Sequence, residues 1–362
     1  MIYSSGGKHL HPIYTQMTEL EEERISVLVP VLNEYQRLGP CLEGLLSQGE
    51  AVAEILVIDG GSSDGTQQLV SVYSQRDPRI QLVDASPIPP HWNGKSWGLQ
   101  VGLLHASPAC RWILTMDADV HPHSALAHTL LAQAYETGLP ALSIATLQII
   151  EGFGQGLLHP SLLTTLVYRF GIPGKIVRRV KDVQANGQCF LFLREVLEVC
   201  GGFSTARNSV CEDITVARAI VANGYPLAFY EAGELVTVRM YENWQETWRN
   251  WTRSLPMHDR FSGLNTLSGW LEVALVQALP IPMLLFLALL GIRGGWLFTL
   301  NSILALMRIG VLFGTARAYQ QLPWSYWLSP FCDLPVALQL GINAIRRRYT
   351  WRGRTLIRGG CS

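Results

Sequence analysis

The 362-residue chain has no excess charge of either sign: 28 Lys and Arg stand against 28 Asp and Glu. Without a global positive field, nucleic acid is not an expected partner, although the last segment is locally basic. The seven cysteines, Cys41, Cys110, Cys189, Cys200, Cys211, Cys332 and Cys361, are odd in number and lack any C-x-x-C spacing. They read as reduced, cytosol-facing thiols. No G-K-[ST] follows "VIDGGSSDGT", so that turn is not the phosphate loop of a P-loop enzyme; it also lacks the G-x-G-x-x-G of a dinucleotide fold, and the chain has no H-x-x-x-H helix spacing for a metal. His91, His121, His123, His159 and His258 therefore read as non-ligating, with His121 and His123 on a surface turn around Pro122. The first 24 residues contain no continuous apolar stretch, so a flexible arm is expected there rather than a signal peptide or anchor.

Apolar residues, by contrast, are abundant. They make up 48% of the chain, and the mean hydropathy of +0.18 is high for a soluble enzyme. Three runs, Trp270–Gly291, Gly295–Ala316 and Trp324–Ile345, each approach the ~20 residues that cross a bilayer. Trp270, Trp296, Trp324, Tyr326 and Trp327 fit an interfacial belt. Three crossings would place the basic tail "RRRYTWRGRTLIR" opposite a cytosolic catalytic region, against the positive-inside tendency. Two crossings plus one re-entrant or interfacial segment return it to the cytosol. The first run is the candidate for the odd segment, because Pro280 and Pro282 interrupt it and Glu272 lies near its start. Arg308 and Asp333 are costly in lipid and are expected to face protein, where they would be able to pair.

Ahead of these runs, short β-rich segments alternate with helical ones from Ile25 onward. That alternation predicts an α/β fold, Rossmann-like, with a mostly parallel sheet and helices on both faces. Ligands of such sheets sit beyond the carboxyl ends of the strands. Asn33, Glu34, Asp59, Asp117 and Asp119 follow apolar runs and converge on that edge. "VIDGGSSDGT" reads as a strand, a tight turn from Asp59 and a helix start; alone it is also an ordinary connection. In "WILTMDADV", strand alternation would put Asp117 and Asp119 on one face. Two such carboxylates repel unless a cation lies between them, and a divalent metal bridging phosphate oxygens supplies one. A solvated Asp-rich turn is the alternative.

In combination, "VLVPVLNE", "EILVIDGGSSDGT", "GKSWGLQVGL", "WILTMDADV", "GQCFLF" and "VCEDITVARAIVANGY" resemble, in order and approximate spacing, the family 2 glycosyltransferases, inverting enzymes with a GT-A nucleotide-sugar-binding fold. The resemblance covers most of Ile25 to Arg253. "IPPHWNGKSWGLQVG" and "VRMYENWQETWRNWTRS", followed by the hydrophobic region, look most like the membrane-bound carotenoid- and hopanoid-associated members. It implies that Asp59 contacts the base or ribose, with Pro30, Asn33 and Glu34 lining the same pocket, and that Lys95 helps to hold the donor. It further implies Asp119 as the direct ligand of a divalent metal, Mg²⁺ or Mn²⁺, with Asp117 on the ribose or in the metal shell. Asp213 matches the catalytic base and Glu212 its neighbour. The Q-x-x-R-W motif of processive relatives is absent from "NWQETWRNWTRS", which argues for a single transfer, though Arg249 or Arg253 would still be able to reach the diphosphate. Trp244, Trp248 and Trp251 recur at helical spacing and read as packing or membrane-interface contact rather than a sugar platform. Arg178, Arg179 and Lys181 read equally as a membrane-surface patch or a solvated loop.

The expected organisation is a flexible arm over 1–24, a GT-A domain over 25–260 (nucleotide-sugar half 25–139, acceptor half 140–260), membrane-embedded or interfacial helices over 261–345 and a basic tail over 346–362. The expected function is transfer of one sugar from a nucleotide-diphospho-sugar, a UDP-sugar favoured, to a hydroxyl of a lipid, a carotenoid or related isoprenoid favoured. The catalytic region would lie on the cytoplasmic face of a membrane. Polyprenyl phosphate, glycerolipid and sphingolipid acceptors are alternatives, as is a non-catalytic nucleotide-binding scaffold.

Overall fold

A computed structural model describes residues 9–13, 20, 22–209, 211–255, 263–345, 348–351 and 354–357. The chain divides into two units, one of residues 1–147 and 173–238, the other of residues 148–172 and 239–362.

The first unit opens with β1 (Ile25–Val31), α1 (Leu38–Leu46), β2 (Val52–Asp59), α2 (Thr66–Arg76), β3 (Ile80–Asp84), α3 (Gly94–His105) and β4 (Trp112–Met116). It continues through β5 (Val120–Pro122), α4 (Leu126–Thr137), β6 (Ala141–Ala145) and β7 (Leu147–Gln148), where the chain leaves through α5 (Gly152–Phe170) of the second unit. On its return it forms β8 (Lys175–Val177), β9 (Cys189–Leu193), α6 (Arg194–Val199), α7 (Glu212–Ala222), β10 (Leu227–Glu231) and β11 (Val236–Val238). The main sheet has the order β3-β2-β1-β4-β9-β6-β10-β8. All pairings from β3 to β4 are parallel, β9 runs antiparallel to both neighbours, and β8 is an antiparallel edge on β10. All five residues of β4 are buried, as expected of a central strand covered on both faces. On one face α3 lies close to β1 and β2 because Gly98 and Gly102 lack side chains; a Cβ at Gly102 would stand 2.8 Å from Ile58 Cδ1.

Three expectations change. β4 stops at Met116, and Asp117 to Asp119 form a turn in which the Val120 amide donates to the Asp117 carbonyl (3.3 Å). The same-face argument from strand alternation therefore does not apply to the two aspartates. His121 lies in β5, paired with Thr237 of β11, rather than on a surface turn. The described residues of the arm are docked: Leu10 is buried and its amide donates to Glu231 O (2.9 Å), His9 pairs with the Glu231 carboxylate (2.9 Å), and the Ile13 amide donates to Thr129 Oγ1 (3.0 Å).

The second unit comprises α5, α8 (Trp244–Ser254), α9 (Gly263–Glu272), a π-helical turn Val273–Ala278, α10 (Pro280–Leu289), α11 (Trp296–Thr315), a 3₁₀ stretch Trp324–Cys332, α12 (Asp333–Ile345), and a hairpin of β12 (Arg348–Trp351) and β13 (Arg354–Ile357) within the basic tail. Where the sequence placed a boundary at residue 260, this unit takes α5 and α8 as well, because their apolar faces (Leu158, Leu162, Trp251) join one buried cluster with Val336, Ala337 and Leu340 of α12. Trp248 packs on the same cluster, in keeping with the packing reading of the Trp stripe. Two stretches, Trp296–Ala318 and Trp324–Ile345, are long and apolar enough to cross a membrane. The first apolar run is broken: Thr266–Ala278 and Pro280–Leu289 meet at 48°, where a π-helical turn precedes Pro280. Trp296 and Trp324 are exposed as an interfacial belt requires, but Tyr326 is fully buried, its hydroxyl donating to Leu312 O.

Arg308 and Asp333 do pair. Both are 1% exposed, with Nε to Oδ2 at 2.7 Å and Nη2 to Oδ1 at 3.1 Å. Asp333 Oδ1 also accepts from Ser161 Oγ (2.6 Å) and Gln277 Nε2 (2.8 Å), which joins α5, α11 and α12 with the π-helical turn. Arg308→Met would leave this carboxylate buried without its cation, at a cost of about 3–5 kcal/mol. Thermal unfolding in detergent is expected to show a large loss for Arg308→Met and a much smaller one when Asp333→Leu is added; equal losses would mean that the pair does not hold the unit.

Candidate active site

The site is assembled at the carboxyl ends of β1, β2 and β4. After β1, Asn33 takes a left-handed conformation (φ 56°), which this residue type tolerates. Its amide donates to Ser62 Oγ (2.8 Å) and its side-chain oxygen accepts from the Ser63 amide (2.9 Å). The Glu34 amide donates to Thr66 Oγ1 (3.0 Å) and the Tyr35 amide to Asp64 Oδ2 (3.0 Å). The loops after β1 and β2 are thus tied residue to residue. Asp59 is 1% exposed, and its carboxylate accepts from the Gly61 and Ser62 amides, the Ser62 hydroxyl and Gln67 Nε2. In this structure Asp59 organises its own turn.

Lys95 lies in the first turn of α3, which Asn93 caps by accepting from the Lys95 amide (3.2 Å). Its Nζ lies 2.6 Å from Asp117 Oδ1 and 2.7 Å from Glu212 Oε1. Burial alone would lower the Lys95 pKa, but the Asp117 and Glu212 carboxylates outweigh it and hold the ammonium well above its usual range. One cation thereby joins the turn after β4 to the start of α7.

Asp119 has no comparable partner. Its Oδ1 is buried without a hydrogen bond, and burial, followed by the charges of Asp117 and Glu34, pushes its pKa up to about 8. A carboxylate in that position calls for a positive charge. Among the described residues no cluster of three or more His, Cys, Asp or Glu forms a cage for a metal. The residues present instead fit the Mg²⁺ pattern, in which one or two carboxylates hold the ion and substrate phosphates and water complete the shell.

Asp213 sits at the start of α7. Its Oδ2 accepts from the Gly187 amide and its Oδ1 from its neighbour Ile214, both at 2.8 Å. Burial above an apolar hollow lined by Phe190, Phe192, Phe203 and Val216, and then the adjacent Glu212 charge, push its pKa up to about 7. Lys95 and the two amides oppose that rise without cancelling it. A carboxylate near 7 is suited to general-base work at neutral pH.

Of the residues singled out from sequence, the first unit brings together Lys95, Asp117, Glu212 and Asp213, with Asp119 electrostatically coupled to Asp117, Glu34 and Lys95. Asp59 ends β2, paired with Val31, and Pro30 lies one residue before the end of β1, paired with Ile58. Arg249, exposed on α8, belongs to the second unit, and the Arg253 side chain and His258 lie outside the described residues. Gly187 and Gln188 stand in the quoted motif "GQCFLF", but sequence alone gave neither a role. Gln188 O accepts from the Asp117 amide (3.2 Å), and Gln188 Oε1 accepts from Thr146 Oγ1 (2.6 Å). A Cβ on Gly187 would stand 3.0 Å from Glu212 Oε1, 3.2 Å from Lys95 Nζ and 3.3 Å from Asp213 Cβ. The sequence signal was the motif itself, a small residue beside polar ones just before an apolar run. Gly187→Ala is expected to cost about 1–3 kcal/mol as overpacking and to weaken nucleotide binding by spreading Lys95 from Glu212. Calorimetric titration with a nucleoside diphosphate and metal checks this; unchanged affinity would show that the close approach is not needed.

Residues 26–201 match the family model described as glycosyl transferase family 2. The chain is similar to the 4,4'-diaponeurosporenoate glycosyltransferases of Staphylococcus aureus strains N315 and USA300, each 26% identical over 254 residues, which cover 68% of this chain and 64% of the relative. The match thus spans under two thirds of those relatives' own length. Among solved structures it is similar to the mannosyltransferase PcManGT from Pyrobaculum calidifontis, in complex with GDP-Man and Mn²⁺, with a TM-score of 0.53 and 18% identity, over 89% of this chain and 87% of that one. That likeness speaks to the fold alone, and the fold is GT-A. Residues 26–201 thus match the family 2 glycosyltransferase model in a chain that also carries helices long and apolar enough to cross a membrane.

Proposed function

We propose that the chain is a membrane-associated inverting glycosyltransferase that moves one sugar from a nucleotide-diphospho-sugar to a hydroxyl of a lipid, a carotenoid or related isoprenoid, at the cytoplasmic face. The observation that carries this reading is the buried, unpartnered Oδ1 of Asp119 in the same unit as Asp213, a carboxyl poised near 7. The donor is taken to be a UDP-sugar, with Pro30, Asn33, Glu34 and Asp59 lining its base and ribose. Asp119 and Asp117 would hold Mg²⁺ or Mn²⁺, which neutralises charge gathering on a leaving diphosphate. Lys95 supplies a second cation beside Asp117. Arg249 and Arg253 enter as diphosphate contacts by resemblance alone.

Inversion needs a single in-line displacement, and hence one base on the acceptor side. Asp213 takes the hydroxyl proton; its two backbone donors fix the carboxylate's direction. A retaining route would need a second carboxylate as nucleophile flanking the bond, and Glu212 is engaged with Lys95. Support for a lipid acceptor comes from the second unit, where Leu289, Leu306, Phe313, Phe331 and Ile345 are among many exposed apolar side chains. Such a surface is what a bilayer or a greasy substrate covers.

Three outcomes test this reading. Asp119→Ala is expected to abolish the metal dependence of nucleotide binding, read by calorimetry with and without Mn²⁺; equal affinity in wild type and variant would defeat the metal assignment. Asp213→Asn is expected to keep nucleotide binding and to lower transfer by about 10²–10⁴-fold. Mass spectrometry of products from a panel of nucleotide sugars and lipids would read this loss, and transfer undiminished by the substitution would remove Asp213 as base. The staphylococcal relatives are named for a carotenoid carboxylate, and a carboxylate acceptor has no proton to lose, so near-normal transfer by Asp213→Asn to such a lipid would favour that acceptor class. Because the Asp213 pKa is raised, the base form is lost as pH falls through about 7. The wild-type kcat/KM for a hydroxyl acceptor is therefore expected to rise with pH through that value and level off above it. A rate flat from pH 5 to 8 would contradict the assignment.

A further inference from the structure

We infer that the segment Lys175–Lys181, on the edge of the main sheet, is a docking strip for an anionic lipid surface. The inference rests on membrane association of the chain and not on its transfer chemistry. β8 is the terminal strand of the sheet, paired only with β10 among the described strands. Its inward residue Val177 and the following Val183 are buried in the core of the unit. The residues between and beside them face outward, and they are of two kinds.

Lys175, Arg178, Arg179 and Lys181 are all exposed, against one acid, Asp182, which Arg179 engages at 2.7 Å. Interleaved with them, Ile176 is 45% and Val180 42% exposed. Cations on or beside an edge strand are a common guard against strand addition, but a guard has no use for exposed branched apolar side chains among them. A soluble polyanion likewise would neutralise the cations and leave Ile176 and Val180 in water. A bilayer surface takes both: basic groups meet anionic headgroups, and apolar side chains enter the acyl boundary. Continuity along the chain favours the same occupant, since the strip follows α5, a helix of the unit that carries the candidate membrane spans.

Hydrogen exchange on the full chain in nanodiscs tests this without requiring turnover. Discs of phosphatidylcholine, with and without phosphatidylglycerol, are compared for wild type and for Arg178→Gln/Lys181→Gln. Backbone amides of residues 176–183 are expected to exchange several-fold more slowly when phosphatidylglycerol is present, and to lose that difference in the variant and at high salt. A lysine-restored form, Arg178→Lys with Lys181 retained, is expected to keep it. Equal exchange in the two kinds of disc would overturn the inference and leave the cations as an edge guard. Protection of amides in Trp296–Ala318 in both discs reports that the second unit is inserted. Its loss would remove the membrane reading and this inference together, a result separate from equal exchange at the strip.

Discussion

Lys95 Nζ reaches Asp117 at 2.6 Å and Glu212 at 2.7 Å, and the arrangement of the candidate site depends on that bridge. Asp117 follows β4, Glu212 opens α7, and Lys95 opens α3. Nearly a hundred residues separate the two acids in sequence, so one ammonium fixes the distance between the turn after β4 and the start of α7. Without the cation, Asp117, Asp119, Glu212 and Asp213 would concentrate negative charge at one sheet edge, and the turn after β4 would be pushed from α7. With it, two of the four acids share one positive charge as ion-pair partners. The other two, Asp119 and Asp213, are left with raised pKa values. Those are the two to which a metal and a proton are assigned here. Structural and chemical demands are thereby divided between neighbouring carboxylates by geometry alone.

This division explains what was legible in the sequence. Parallel central strands are covered on both faces and so appear as apolar runs, and the polar residue after each run marks the sheet edge. Asn33, Asp59, Asp117 and Asp119 could be placed on that logic. The roles of Lys95 and Asp213 came from resemblance, because neither follows an apolar run. The turn at Asp117–Asp119 was misread because alternation has no term for where pairing stops. β4 ends when its last partner, Cys189, is matched to Met116 and the Asp117 amide turns to Gln188 O. Gly187, though it opens the quoted "GQCFLF", was given no role for a related reason. Its importance lies in three side chains from α3 and α7 that crowd the place where its Cβ would be, and only the folded chain brings them there.

The second unit shows the same limit on a larger scale. Hydropathy located its apolar runs, and prolines located the break in the first. Composition could not tell that α5 and α8, polar enough to pass for parts of the catalytic region, carry apolar faces that belong with α12. Nor could it tell Tyr326 from its exposed neighbour Trp327. Both suit an interfacial belt, but the Tyr326 hydroxyl finds the Leu312 carbonyl inside the unit. A polar tip satisfied internally has no need of the interface.

Arg308 and Asp333 show how a polar group in an apolar unit can be read forward from sequence. Either residue alone on a lipid-facing helix would be costly, so their presence on successive apolar runs implies that they turn toward each other. The structure adds the part that chemistry requires but spacing does not reveal. Asp333 Oδ1 takes further donors from Ser161 and Gln277, so the carboxylate is held by α5 and the π-helical turn as well as by its ion-pair partner. The π-helical turn widens the backbone where Gln277 reaches inward, just before Pro280 redirects the chain. The bend of the broken apolar run and the buried ion pair thus share residues.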